Sequence, residues 1–365
     1  MRRAAGVLWT FAAGTCTMTE KGRAMTKNPK RAEVARLAGV SESTVSRSLN
    51  DSPHISPVSK KKVRDAAKSL GYIPSRQAAL FAWNRTFTLG FVVPSYASFP
   101  PFSRAYFPAL LDGAVLGAKQ LGFTIAIVLD QMDTETRDYS ALIRSRTYDG
   151  LLFAVTKADY SPFHQLKKNK IPFVMVNNYC DGLASVDARP EPGMRKAFVH
   201  AAFMGHSHIG YITGDMVYRN AIDRLDVFKR LACEFRMQTD IVQGDFSKTS
   251  GYRETARLME AKNPPTLIMT SSDRAALGVL QYCSERGLHV PRDLSVIGYD
   301  NLHPAQDVTP PLSTVDNPVS RTGWDAAQLL IGIINGYVTE PVQQWLDTDF
   351  VARGSTAAAR QGILK

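Results

Sequence analysis

The sequence predicts a small all-α helix-turn-helix headpiece followed by an α/β core of two doubly wound parallel-sheet lobes. Three observations carry this. Residues 29–50, PKRAEVARLAGVSESTVSRSLN, hold two short amphipathic helical stretches around one glycine. From Thr88 onward, short continuous apolar runs alternate with helical patterns in two successive series, as expected of parallel strands buried on both faces. The formal net charge of +11 is unevenly placed: residues 1–86 hold 16 Lys+Arg against 5 Asp+Glu, while the remaining chain holds 28 of each sign. The cationic excess therefore lies wholly with the headpiece, where a polyanion such as DNA needs it.

In chain order, residues 1–27 read as a disordered tail or over-extended start. MRRAAGVLWTFAAGT mimics a secretory signal, with basic residues ahead of a short apolar core, but Met18 and Met25 offer later starts. The helix-turn-helix domain is expected over 28–73. Asn28-Pro29 opens its first helix, since Asn accepts from an orphan N–H and Pro is pre-set for the first helical position. Val34, Ala35, Leu37 and Ala38 recur at helical spacing and form its apolar face. Gly39 supplies the tight turn, Val40 packs between the helices, and Ser41 caps a second helix whose Val45 and Leu49 face inward. Glu42, Ser43, Thr44, Ser46 and Arg47 are left facing outward, all short, hydroxylic or charged, which is the profile of a major-groove recognition helix. Arg47 can span guanine O6 and N7 with a bidentate fork worth roughly 1–3 kcal/mol of discrimination, and Glu42 can either accept from cytosine N4 or repel phosphate and so sharpen selectivity. Residues 57–71 form a third helix, with Val63, Ala66, Ala67 and Leu70 inward and Lys60, Lys61, Lys62 and Arg64 in water. Residues 74–86 are a linker, broken by Pro74 and unusually apolar at Leu80, Phe81 and Trp83.

The core is expected over 87–356, with 357–365 as a tail. Its first series has strands at 88–93, 123–129, 150–155 and 171–176. The helix after the first strand carries Leu110, Leu111, Ala114, Val115 and Ala118, and others lie near 134–145 and 160–169. A second series starts after ASVD (184–187), with helices near 191–204, 221–236, 248–262 and 273–286 and strands at 208–213, 239–244, 265–270 and 294–300. In two such lobes a ligand sits between them, at the carboxyl ends of the strands.

Several function classes are set aside. No run approaches the ~18–20 apolar residues of a membrane span. The four cysteines, at 16, 180, 233 and 283, form no CxxC pair and read as reduced thiols of a cytosolic protein. His200, His206 and His208 straddle a glycine at a spacing unlike a helix-borne ligand pair, with no Cys or carboxylate cluster beside them, so no metal is expected. There is no Gly-rich phosphate loop, GxSxG elbow or HExxH helix, so neither an enzyme nor a cofactor is expected. Asp223 and Asp226, beside Arg224, read as surface or supporting groups rather than a general acid/base pair.

Certain motifs go further: VARLAGVSESTVSRSLN (34–50), LGYIP (70–74), DRLDVF (223–228), GDFSKTSGY (244–252), SSDRAALGVL (271–280), VPRDLSVIGYDN (290–301), PPLSTVDNP (310–318) and RGST (353–356). In their order and spacing the chain resembles the LacI/GalR family of bacterial transcriptional regulators over roughly residues 29–356. The resemblance implies a periplasmic-binding-protein-like core and a cytoplasmic, nucleoid-associated repressor. It implies a homodimer on double-stranded operator DNA, controlled by a small effector such as a sugar or related metabolite. It assigns base contacts to Glu42, Ser43, Arg47 and His54, and phosphate contacts to Ser41, Thr44, Ser46, Asn50, Ser59 and Tyr72. Ala78, Phe81 and Ala82 fall at the minor-groove hinge, where Phe81 replaces the usual Leu as wedge and Ser75 stands where Asn is usual. Tyr106, Phe107, Asn177, Arg224, Phe246, Ser272 and Asp300 fall at effector positions. Asn177 replaces a common Asp and Ser272 a common Asn, which changes the donor and acceptor set. PSYASFPPFSR (94–104) is longer than the usual connection and is expected to cover or reshape the pocket mouth. The first core helix (105–121) and the helix after DNP (319–335) are expected to supply dimer faces, and no leucine heptads follow RGST to build a tetramer. Two other readings, a solute-binding module and an enzyme on the same bilobal fold, do not account for the motif at 34–50 or the charge segregation.

Overall fold

Three short helices close around Val34, Ala35, Val45, Val63, Ala66 and Ala67 in the headpiece. The computed structural model describes residues 29–49, 52, 54–72, 85–94, 101–130, 139–157 and 162–360. The chain divides into two compact units, Met1–Asn84 and Arg85–Lys365. In the first, helix α1 runs Arg31–Ala38, α2 Glu42–Leu49 and α3 Pro57–Leu70. α1 starts later than the sequence suggested: extended Lys30 is its N-cap, without a side-chain cap. Leu37 is 58% exposed, because Val34, Ala35 and Ala38 hold the contact stripe and Leu37 falls at its margin. Gly39 takes the left-handed conformation (φ 66°) that ends α1 and makes the turn into α2. Ser41 caps α2 through a bond from the Thr44 N–H (3.2 Å), and Ser48 joins Val45 on its buried face. Ser56 caps α3, with Pro57 in its first turn, and Gly71 (φ 62°) stops it.

The second unit holds two six-stranded sheets. The first is wholly parallel, in the order β11-β5-β4-β3-β1-β2. Its strands are β1 Thr88–Pro94, β2 Thr124–Asp130, β3 Gly150–Ala154, β4 Phe173–Val176, β5 Ser185–Arg189 and β11 Gln343–Asp347. Helices α4 Tyr106–Gln120, α5 Tyr139–Arg144, α6 Pro162–Lys168 and α12 Val319–Ile334 accompany it. The second sheet has the order β12-β10-β9-β8-β6-β7. It comprises β6 His208–Ile212, β7 Gln238–Val242, β8 Leu267–Thr270, β9 Ser295–Asp300, β10 Ser313–Asp316 and β12 Asp349–Val351, with only the β12 edge antiparallel. Its helices are α7 Pro190–Phe203, α8 Arg219–Glu234, α9 Lys248–Met259, α10 Asp273–Glu285 and the short α11 Pro304–Asp307.

The chain passes between lobes three times: from β5 to α7, from β10 to α12, and from β11 to β12. The second lobe therefore begins at Pro190, close to where the second series was expected, and SVDAR just before it is a further strand of the first sheet that the sequence reading did not mark. α4 and α12 meet backbone to backbone. A Cβ on Gly113 would lie 1.7 Å from the Ser320 carbonyl oxygen, and one on Gly323 would lie 2.0 Å from that of Leu110. The apolar faces expected to join subunits thus pack largely on each other within one chain; Val115, Leu116 and Leu121 at α4, with Ile127 and Leu129 of β2, remain exposed.

Among the described residues no helix is long and apolar enough to cross a membrane. None of their His, Cys, Asp and Glu side chains form a group of three or more that could hold a metal ion. His200 bonds Thr356 (2.9 Å), His206 bonds Thr266 (2.8 Å) and the Ala357 carbonyl (3.1 Å), and His208 bonds Asp240 (2.8 Å).

Candidate functional site

Within the second unit, a cavity of about 440 Å³ lies between the two lobes. Arg104, Tyr106, Phe107 and Val155 reach it from the first lobe. Tyr218, Arg224, Phe246, Ser272, Arg274 and Asp300 reach it from the second. Arg224, on α8, is buried; its Nη1 donates to the Ser271 carbonyl at 2.5 Å and its Nη2 lies 3.4 Å from Asp300 Oδ1. Its guanidinium carbon sits 3.7 Å from the Tyr299 ring centroid and 5.9 Å from that of Phe246. Burial opposes the charge, but Tyr299, Asp300 and Tyr106 outweigh it and hold Arg224 cationic above the ordinary arginine range. Asp300 ends β9 at φ 114°, a conformation that costs a non-glycine residue roughly 1–3 kcal/mol and places the carboxylate at the cavity wall. Its Oδ1 also accepts from the Asn317 amide (3.0 Å), and burial raises its pKa against the pull of Arg224 and Asn317. This is a cation and a carboxylate held in a dry wall beside aromatic faces. It can donate to and accept from ligand hydroxyls at once.

Phe246 (φ 64°) lays its ring where a side chain on Gly214 would be: a Cβ there would come within 2.0 Å of the ring. Ser272 caps α10, accepting from the Ala275 N–H (3.2 Å), and its hydroxyl donates to the Phe246 carbonyl (3.2 Å), so it fixes the aromatic wall as well as lining the cavity. Tyr106 opens α4, and its hydroxyl accepts from the Asn177 amide. Asn177 does not line the main cavity. Its side chain lies behind Tyr106, in a small adjoining space with Asp187, Asn220, Asp223 and Asn317. Phe107 is 3% exposed and belongs as much to the first lobe's core as to the cavity. Burial pushes Asp187 up to about 7, against one bond from the Ala188 N–H (2.7 Å).

The spacing of motifs left several lining groups unmarked, among them Arg104, Asp215, Tyr218, Asp245 and Arg274. Ser103 and Arg104, from the long segment after β1, do reach the cavity; 95–100 lie outside the described residues. Arg274 had a usable signal, since it stands in the first turn of a helix that follows a strand end, the place from which α/β sheets address ligands. A polar cluster also ties lobe to lobe: Arg219 of α8 donates to the Tyr179 hydroxyl and lies over its ring (4.4 Å to the centroid). The Tyr179 hydroxyl donates to Asp223 at 3.3 Å.

In the headpiece, Glu42, Ser43 and Arg47 of α2 are exposed and Thr44 and Ser46 half-buried. Glu42 accepts from Arg31 Nε at 2.9 Å. Ser41 Oγ lies within 2.8 and 2.9 Å of the Ser43 and Thr44 hydroxyls, besides capping the helix. Ser59 is tied to Ser56 through its N–H (3.2 Å) and hydroxyl (3.0 Å). His54 is exposed, and Tyr72 is half-buried against the headpiece core. Asn50, Ala78, Phe81 and Ala82 lie outside the described residues.

Comparison with known proteins places this geometry. Residues 32–75 match the bacterial regulatory proteins of the lacI family, and residues 199–356 match the periplasmic binding protein-like domain. The probable HTH-type transcriptional repressor ExuR of Bacillus subtilis is 28% identical over 329 residues, covering 88% of this chain and 97% of that protein. The HTH-type transcriptional regulator CelR of Thermobifida fusca is 28% identical over 336 residues, covering 90% and 98%. Among solved structures, the CelR–cellobiose complex superposes with a TM-score of 0.68 at 28% identity, over 90% of this chain and 99% of that one. The lac repressor dimer bound to operator and the anti-inducer ONPF shares the fold, with a TM-score of 0.78 at 24% identity over 91% and 100%.

Proposed function

We propose that this DNA-binding transcriptional regulator, whose residues 32–75 match the lacI family of bacterial regulatory proteins, is a repressor that binds a two-fold symmetric operator as a homodimer and is switched by a small hydroxyl-bearing effector held between the core lobes. The observation that carries the effector half is the Arg224–Asp300 pair facing the inter-lobe cavity beside Phe246. A ligand bridging that pair and Tyr106 binds better when the lobes are closed, so it shifts the population toward closure. The relative solved with cellobiose supports a sugar or related metabolite as effector. The relative solved as a dimer on its operator supports a dimeric reader.

In the headpiece, Arg47, Glu42, Ser43 and His54 are assigned to base edges. Ser41, Thr44, Ser46, Asn50, Ser59 and Tyr72 are assigned to phosphates. Arg47 suits its role because among the described residues it makes no ion pair, leaving its fork open. Glu42 is already answered by Arg31, so it serves less as a repelling charge than as an acceptor oriented for cytosine. Ala78, Phe81 and Ala82 are assigned to the minor groove, with Phe81 as the wedge. A repressor of this kind acts in the cytoplasm, and we assign it to nucleoid DNA.

The test is selection of random duplex DNA by the full chain at two salt concentrations, with Arg47→Ala beside it. A two-fold symmetric consensus lost in the variant is expected. Salt-sensitive binding with no consensus would sink the sequence-reading assignment. Coupling must also be reciprocal: the factor by which effector changes operator affinity must equal the factor by which operator changes effector affinity.

A further inference from the structure

Of the cations at the cavity, Arg274 alone has nothing set against it among the described residues. Arg224 is answered by Asp300 and by the Ser271 carbonyl. Arg104 lies beside Asp245; burial would raise that carboxyl, but bonds from Ser247 and Ser250 and the Arg104 charge hold it below the ordinary range. Arg274 makes no hydrogen bond or ion pair with any described residue, and its Nε is buried without a partner. A guanidinium with a desolvated Nε–H in a ligand cavity is expensive unless something accepts from it. Nor do the neighbouring acids answer it. Asp273 turns inward, accepting from the Leu302 N–H (2.9 Å) and the Thr314 hydroxyl (2.5 Å). Asp215 accepts from the Val217 N–H (3.1 Å).

We infer that Arg274 receives the carboxylate of the effector, which is therefore an acidic saccharide rather than a neutral sugar. This rests on reading the inter-lobe cavity as the effector site. The planar fork of an arginine matches a carboxylate in two parallel bonds. Arg274 is also the second residue of α10, where the helix dipole adds to its attraction for an anion. The remaining lining divides the rest of the ligand: Arg224 and Asp300 take hydroxyls, while Phe246, Tyr106 and Tyr218 cover an apolar sugar face. A cavity of about 440 Å³ accommodates a sugar of one or two rings. A phosphate, with its greater charge, calls for more donors than one free guanidinium supplies.

The experiment is calorimetric titration of the full-length protein with matched pairs: D-galacturonate against D-galactose, and D-glucuronate against D-glucose, with D-glucose 6-phosphate alongside. At least one acid is expected to bind tenfold or more tightly than its parent sugar, with an advantage that shrinks as salt rises. In Arg274→Gln the ratio of acid to parent affinity is expected to collapse toward one, and Arg274→Lys to restore part of it. Because the ratio is read within one variant, a folding defect, which weakens both ligands alike, does not imitate the result. If the wild type binds parent sugars as well as the acids, or prefers the phosphate, or if Arg274→Gln keeps the preference, the carboxylate inference is overturned and the effector cavity stands. If no saccharide of any kind binds, the reading of the cavity falls, and this inference with it.

Discussion

Gly214 has no side chain to offer because the Phe246 ring fills its place. Gly214→Ala forces that ring off the cavity wall, and we expect unfolding free energy to fall by about 1–3 kcal/mol in denaturant titration, the range for overpacked sites. Asp187 gives a prediction of a different kind. Its ordinary value is 3.8 and burial holds it up to about 7 in the folded protein, so the folded state keeps a proton that the unfolded chain releases. The stabilisation is complete below pH 3.8 and is lost as pH rises toward 7, after which the loss is constant. Asp187→Asn carries no such dependence. The variant should gain on the wild type across that window by on the order of a few kcal/mol, as read by thermal unfolding in buffers from pH 4 to 8.5. A gap independent of pH would show that Asp187 is ionised throughout. At this scale the sequence was informative where a residue sits in a strong motif: Arg224, Phe246 and Asp300 all face the cavity. It was silent where direction matters, since spacing does not say that Asn177 turns behind Tyr106.

Elements were legible where the pattern is local. Apolar runs located β1, β3, β6 and β9, and glycine stops located the ends of α1 and α3. Partnership was not legible. The apolar periodicity of α4 and α12 is equally consistent with a neighbour in the same chain or in another. Only the three-dimensional packing shows Gly113, Gly117 and Gly323 bringing the two backbones into contact. Gly113→Ala would drive a methyl into the Ser320 carbonyl. We expect a loss of about 1–3 kcal/mol or more, seen as a lower urea midpoint, whereas Ala118→Gly on the same helix should cost less, roughly 1 kcal/mol of helix propensity plus a small cavity. The Arg31–Glu42 bridge between α1 and α2 is half exposed on both sides, so Arg31→Ala should change headpiece stability by no more than about 1 kcal/mol.

For the whole molecule, what the sequence could not express is the interlacing of the lobes. Strand β5 was passed over because SVDAR lacks a long apolar run, and β11 and β12 because QQWLD and DFV are short edge strands. Topology depends on which sheet a strand joins, and that is decided by contacts far apart in sequence. The Tyr179–Arg219–Asp223 cluster crosses between the same lobes and is disrupted by any motion that separates them. Arg219→Ala is therefore expected to raise backbone hydrogen exchange in segments 177–180 and 215–223 of the intact protein, with the headpiece unchanged. Unaltered exchange there would remove the cluster from any role in closure. The three lobe crossings also fix an order of events during synthesis. The headpiece is complete once its own residues have left the ribosome, but the first sheet waits for β11 and the second for β12, both within the last stretch of the chain. A nascent regulator thus has its DNA-reading part ready long before either half of its sensor can close, and a chain stopped at Pro318 leaves both halves unfinished at once.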